Sequence, residues 1–234
     1  MFSLNNTHTS SNLPNPYAVQ PHKIVSTVFQ AAVPVLGITY GVIALNPSPL
    51  REWNFQTRER VLTRHTGFHT RVDDYIQYAP GVSVLALKLS GVKGEYPFWE
   101  SVSTFAFNSV LLLGATQITK YTVKEMRPDN SSRNSFPSGH TATSFAFAEW
   151  LRTEYWQTSP WIGVSGYLVA STVGVLRVFN NRHWVSDVVC GAAIGFLCTR
   201  IAYWLKPYVI DPMFKGKKKG VDLDIPPIIY EHSF

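Results

Sequence analysis

Residues 24–45 read IVSTVFQAAVPVLGITYGVIAL, 22 consecutive positions without a charged side chain. About 20 apolar helical residues cross the hydrocarbon core of a bilayer. The stretch therefore predicts a transmembrane helix, and with it an integral membrane fold. Pro34 and Gly37 inside it would weaken a soluble helix, yet both are common in membrane helices, where neighbouring groups satisfy the freed backbone. Composition alone does not make this case. Mean hydropathy over the 234 residues is -0.01, close to that of a soluble protein, so the assignment comes from how the 45% of hydrophobic residues are grouped.

Outward from this span lie five further apolar runs. Ile76–Val92 is interrupted only by Lys88 near its end, where a long side chain is expected to snorkel to the interface. Phe98–Thr119 opens with Pro97, Phe98 and Trp99 as interfacial anchors and carries Glu100 at its margin. Gly139–Trp150 is short and runs into Glu149, Arg152 and Glu154, so it is expected to sit only partly in hydrocarbon. Pro160–Leu176 and Trp184–Leu205 complete the set, and Gly191, Ala192, Ala193 and Gly195 give the last run a face that neighbours can approach closely. The expected fold is all-α, an integral membrane bundle of about six transmembrane helices. Residues 51–75 mix five Arg with Glu52, Glu59, Asp73 and Asp74 around Trp53, Phe55, Leu62 and Phe68. They read as an additional amphipathic helix, lying on the bilayer or packed on the protein itself.

The ends differ in character from this centre. Residues 1–22 are polar, with Pro14, Pro16 and Pro21, and lack the basic start and early apolar core of a cleavable signal peptide. Residues 207–234 form a basic tail with Lys217, Lys218 and Lys219. The formal charge of +6 does not point to nucleic acid, because the cations alternate with acids, end apolar runs or sit in that tail. With six spans, ten of the 21 Lys and Arg fall on the side of both termini, so charge bias does not itself orient the chain. Five of the other eleven belong to the cluster described next, and discounting them favours cytoplasmic termini. Cys190 and Cys198 lie eight apart on one expected helix, cannot pair within it, and read as packing residues.

Three polar clusters stand at the ends of apolar runs. Lys120, with Arg127 and Pro128, follows the third. Pro137, Ser138, Gly139 and His140 open the fourth. Arg177, His183 and Asp187 link the fifth and sixth. Six alternating helices bring all three to one face. Three strong cations and two histidines against one carboxylate describe a pocket for a multiply charged anion such as phosphate: Arg supplies paired donors, Lys a compact charge, and the backbone N–H groups of Ser138 and Gly139 neutral donors at a helix start. His183 and Asp187, four apart on a helix, share a face, so the carboxylate can hold one imidazole nitrogen while the other attacks phosphorus. His140, from another segment, can protonate the leaving oxygen and then activate water. Arg133, Asn180, Asn181 and Arg182 flank the clusters and read as solvated loop residues first and as substrate contacts second.

The spacing Lys120-x6-Arg127-Pro128, Pro137-Ser138-Gly139-His140 and Arg177-x5-His183-x3-Asp187 resembles the type 2 phosphatidic acid phosphatase (PAP2) superfamily, which also includes vanadium haloperoxidases. The resemblance spans about residues 98–205 within an expected domain of residues 23–206. It implies phosphate binding by Lys120, Arg127, Ser138, Gly139 and Arg177, a nucleophilic His183, an orienting Asp187, an acid/base His140, and neither metal nor cofactor. Where the family's third motif usually opens Ser-Arg, this chain has Leu176-Arg177 and lacks one hydroxyl.

A site at a bilayer face implies a substrate arriving from the membrane. The small bacterial relatives act on lipid A, undecaprenyl pyrophosphate or phosphatidylglycerol phosphate, with the site outside the cytoplasm. The expectation is thus a multi-pass inner-membrane lipid phosphatase, lipid A and undecaprenyl pyrophosphate favoured, with the bilayer as its partner. Two other classes share these residues: a non-catalytic protein binding anionic lipid headgroups, and a vanadate-dependent haloperoxidase. The second is disfavoured by the 22-residue span.

Overall fold

The computed structural model describes residues 21–214. The expected segment 1–22, apart from its last two residues, and the tail beyond residue 214 lie outside them. The described residues form helices α1 (Pro21–Ile43), α2 (Pro49–Arg64), α3 (Val72–Ile76), α4 (Ala79–Leu89), α5 (Phe98–Val123), α6 (Gly139–Tyr155), α7 (Pro160–Phe179), α8 (Val185–Val209) and α9 (Asp211–Phe214), with no strand among them.

Helices α5, α7 and α8, of 26, 20 and 25 residues, are long and apolar enough to cross a membrane, and Gln30–Ile43 of α1 is a shorter apolar helical stretch. The exterior of α5 carries the membrane signature. Trp99 and Tyr121 are 59% and 75% exposed near its two ends, with Val110, Leu113 and Ile118 turned outward between them. The two rings are 22 residues apart (121 − 99), about 33 Å at 1.5 Å per residue, which is close to a hydrocarbon thickness. Such an apolar flank is unfavourable in water and natural in lipid, with amphipathic rings at the two interfaces.

Three expectations are corrected. The second run is not a full span: α4 has 11 residues, about 16 Å, and falls short of a bilayer. Nor does Lys88 snorkel outward. Its Nζ lies 2.8 Å from the Glu154 carboxylate, with the two side chains 4% and 0% exposed. Ser101 and Tyr203 hydroxyls also donate to Glu154. Glu149 likewise turns inward to Arg152 at 2.6 Å and Arg200 at 3.4 Å. Pairing these charges inside the bundle is what lets α6 continue to Tyr155 instead of ending near Trp150.

The third correction concerns residues 51–75, which are two helices. Ser48 caps α2 by accepting the Arg51 N–H, and Pro49 supplies its fixed first turn. The helix ends at Arg64, and Gly67 turns the chain at φ +75° before α3 begins. Along α2, Trp53, Phe55 and Leu62 are exposed, while Asn54 is buried against the start of α8. The Asn54 amide donates to the Ser186 hydroxyl (2.8 Å), and the Ser186 N–H donates back to its oxygen (3.2 Å). The exposed apolar side chains of α2 are thus spread around it, Trp53 on the opposite side from Phe55 and Leu62, and Asn54 fastens the helix to the segment that carries the third motif.

The bundle closes through small residues. A Cβ on Gly191 would lie 2.5 Å from the Ser138 carbonyl oxygen, and one on Gly195 would lie 2.1 Å from that of Ala142. These glycines let α8 run against the first turns of α6. Cys190 and Cys198 are both free and buried, as expected of packing residues.

Candidate active site

The helix ends bring the three clusters together at one end of the bundle: Lys120 in the last turn of α5, Ser138 capping α6, Arg177 in the last turn of α7, and Asp187 in the first turn of α8. A cleft of about 290 Å³ opens there, lined by Arg127, His140, Arg177 and Arg182 together with Asp74 and His69. Of the residues singled out from sequence, Arg127, His140 and Arg177 reach its wall. Lys120, Ser138, Gly139, His183 and Asp187 stand outside that lining.

His183 is 3% exposed, and its backbone N–H donates to the Arg177 carbonyl. Its Nδ1 faces Asp187 Oδ2 and the Ser135 hydroxyl, each at 3.4 Å. The same Oδ2 accepts the Ser135 hydroxyl and, at 3.0 Å, the Trp184 N–H. Two donors from separate segments thus fix the oxygen that faces the imidazole. Burial pushes His183 down from 6.5 to about 4; Arg177 and Lys120 push the same way, and Asp187 only partly opposes them. The ring is accordingly neutral near pH 7, with a lone pair for a nucleophile's role.

The cations crowd one another. Burial and the neighbouring Arg182 and Arg177 charges hold the Arg127 guanidinium below its ordinary value. The Nε atoms of Arg127 and Arg177 are buried without a partner among the described residues. Buried donors left unpaired are costly, and like charges so close repel, so an anion bound among them relieves both penalties. Lys120 Nζ donates to the Asn134 carbonyl. Gly139 borders open space, since a Cβ there would meet nothing within 4 Å. Ser138 needs a correction: its backbone N–H, expected as a phosphate donor, instead donates to the Asp187 carbonyl at 3.0 Å, and its hydroxyl pairs with Thr141. Here helix packing has claimed the donor.

Two acids absent from the sequence-based site enter from α3. Asp73, fully buried, accepts from Arg177 Nη1 at 2.7 Å and from the Asn180 amide at 3.0 Å. Asp74 Oδ1 lies 2.8 Å from His140 Nε2 and 3.6 Å from Arg177 Nη1. Asn180, expected as a solvated loop residue, is buried and fastens α3 by exchanging hydrogen bonds with the Thr70 backbone. Arg182 pairs with Asp129 at 2.8 Å while facing the cleft. The only sequence signal for the acids was their adjacency, two carboxylates in an otherwise Arg-rich stretch. Among the described residues no three His, Cys, Asp or Glu side chains are grouped as metal ligands.

Residues 101–211 match the PAP2 superfamily. This stretch is a PAP2-superfamily domain. The match takes in all eight site residues read from the sequence, but not Asp73 or Asp74. The chain is 41% identical over 157 residues to the lipid A 1-phosphatase of Porphyromonas gingivalis, an overlap covering 66% of this chain and 35% of that protein. It is 31% identical over 74 residues to the bacitracin transport permease protein BcrC of Bacillus licheniformis, covering 32% of this chain and 34% of that one. The chain thus spans about a third of the length of these curated relatives. A transmembrane PAP2-type phosphatidylglycerolphosphate phosphatase from Bacillus subtilis has a similar fold, with a TM-score of 0.50 at 19% identity over 76% of this chain and 97% of that one. The PAP2 domain therefore shares an all-helical fold with that phosphatase, and its helices α5, α7 and α8 are long and apolar enough to cross a membrane.

Proposed function

We propose that this chain is a membrane lipid phosphatase that removes phosphate from a lipid headgroup through a phosphohistidine intermediate. The observation that carries it is the meeting of a neutral, carboxylate-held His183 with a crowd of cations at one end of a membrane bundle. In the first step His183 Nε2 attacks phosphorus, the P–O bond to the lipid breaks, and His140 gives a proton to the leaving oxygen. In the second, water attacks the phosphohistidine, His140 takes the water's proton, and the P–N bond breaks to free inorganic phosphate. Arg127, Arg177 and Lys120, with the Gly139 end of α6, hold the phosphoryl oxygens and stabilise charge in both transition states. Asp187 keeps the His183 ring in the attacking orientation.

Among lipid phosphates we favour lipid A, because the relative with 41% identity is a lipid A 1-phosphatase; undecaprenyl pyrophosphate is the next choice. A lipid rather than a soluble ester is supported by an apolar groove of about 590 Å³ lined by Val61 of α2, Val175 and Val178 of α7, and Val185 and Val188 of α8. Val178 and Val185 stand within two residues of Arg177 and His183, so a chain in the groove would lie close to a headgroup in the site. The site faces the exterior of the inner membrane in this proposal, with the termini in the cytoplasm.

The test is phosphate release by the detergent-purified protein from lipid A, undecaprenyl pyrophosphate, phosphatidylglycerol phosphate and a soluble sugar phosphate, with and without EDTA, beside His183→Ala. Release from lipid A that EDTA leaves intact and the substitution abolishes supports the proposal. Release that survives His183→Ala, or none from any substrate, overturns it and leaves a headgroup-binding protein.

A further inference from the structure

In the proposed reaction His140 makes two proton transfers from the first turn of α6, on the wall of an open cleft. A free imidazole there rotates about two side-chain bonds, and a misplaced acid is an ineffective one. Asp74 supplies the hold. Its Oδ1 is 2.8 Å from His140 Nε2, inside the range of a charge-assisted hydrogen bond. The carboxylate is itself well anchored. Its neighbour Asp73 is fully buried between Arg177 and Asn180, and Asn180 grips Thr70 at both backbone positions. Asp74 is about half-exposed at the side-chain level and lines the cleft. The division of labour along α3 follows: Asp73 locks the helix to the end of α7, and Asp74 is presented to the site.

We infer that Asp74 is a positioning residue for the acid/base histidine, so that the site holds two His–carboxylate pairs, His183 with Asp187 for attack and His140 with Asp74 for proton transfer. This inference rests on the phosphatase reading. With Nε2 held by the carboxylate, the proton that reaches the leaving oxygen comes from the other ring nitrogen, Nδ1. In the first step the His183 N–P bond forms as the P–O bond breaks. The Nδ1 proton passes to the departing alkoxide, and His140 is left neutral with Asp74 still anionic. In the second step the same nitrogen accepts a proton from the attacking water. The carboxylate gives the transient imidazolium a fixed counter-charge at 2.8 Å, and it neutralises part of the surrounding Arg charge that would otherwise disfavour a cationic ring.

A dependence on leaving group separates this role from a merely structural one, because a proton donor matters only when the departing oxygen is strongly basic. The substrates are a lipid-tailed pair of matched chain length in mixed micelles, hexadecyl phosphate and 4-hexadecanoylphenyl phosphate; the second releases an acidic phenol. For Asp74→Asn, kcat/KM, which reports the phosphorylation of His183, should fall about 100-fold with the alkyl ester. It should fall less than about fivefold with the aryl ester, whose continued turnover also shows that the variant is folded. His140→Gln should show the same selectivity, and adding Asp74→Asn to it should cost little more. Equal losses on the two esters, or no loss on either, overturn the inference while the phosphatase reading stands. If Asp74→Asn does not fold, Asp74→Ser decides on the same comparison. Failure of the wild type to hydrolyse either ester removes the phosphatase reading itself.

Discussion

Replacing Asp187 by Asn separates charge from orientation in the nucleophile's support. Two donors, the Ser135 hydroxyl and the Trp184 N–H, converge on Oδ2, whereas Oδ1 is buried without a partner among the described residues. An amide therefore seats its oxygen where Oδ2 was, and its NH₂ takes the Oδ1 position. The imidazole keeps an acceptor opposite Nδ1 and its attacking tautomer. What disappears is the charge. At the 3.4 Å separation of Nδ1 and Oδ2, a full pair of charges at an effective dielectric constant of about 20 is worth about 5 kcal/mol. With about half a charge developed on the ring in the transition state, the loss is about 2.4 kcal/mol, or roughly 60-fold in kcat/KM. Asp187→Ala also strands both donors and frees the ring, and should cost on the order of a thousandfold or more. Phosphate release from micellar substrate by the two variants, each checked for a wild-type elution profile, measures both numbers. Equal losses would show that the Ser135 and Trp184 donors do not fix the oxygen. An Asn variant within about threefold of wild type would show that the charge is not used.

Three further outcomes follow from the same structure. Lys88→Met strands the Glu154 carboxylate at a site where both side chains are under 5% exposed, so the detergent melting temperature should reflect a loss of about 3–5 kcal/mol, partly recovered by adding Glu154→Gln; a loss below about 1 kcal/mol would refute the buried pairing. Gly195→Leu places its first side-chain carbon 2.1 Å from the Ala142 carbonyl oxygen and should lower the melting temperature and the yield of folded protein, because α8 cannot move off α6 without opening the site; a wild-type melt would contradict the close helix approach. The third concerns pH. His183 is lowered from 6.5 to about 4, so between these values the unfolded chain binds a proton that the folded chain does not. Its contribution to stability is complete above pH 6.5 and is lost as pH falls through about 4. Imidazole nitrogen shifts of His183 should titrate near 4, and His183→Gln should flatten the slope of melting temperature between pH 6.5 and 4; a titration near 6.5 would contradict it.

Helices α5, α7 and α8 were legible because their apolar runs have the length and punctuation of a membrane helix, whereas the second run has the composition of a span but holds only the 11-residue α4. The polar clusters were legible because they sit where those runs end, which is enough to place Lys120, His140, Arg177 and His183 at one end of a bundle. Pairings between distant residues were not legible. Lys88 and Glu154 are 66 positions apart, as are Asp74 and His140. A charge at the margin of an apolar run looks the same whether it reaches outward to water or inward to a partner. Asp73 and Asp74 were absorbed into a stretch that read as a single surface helix, because Gly67, where the chain turns, was outweighed by the alternation of charge around it. Ser135 carries no signal in the sequence, because a hydroxyl two residues before Pro137 has no meaning until the loop folds its oxygen onto Asp187.

The most direct test of the central claim is to trap the intermediate. His140→Gln, given an aryl phosphate labelled on phosphorus, should still be phosphorylated, because the phenol leaves without an acid, but it should discharge slowly for want of a base. The account expects close to one alkali-stable, acid-labile phosphate per chain, located at His183 by mass spectrometry and absent when His183→Ala is added. Label on any other residue, or turnover by His183→Ala with no label at all, would contradict it.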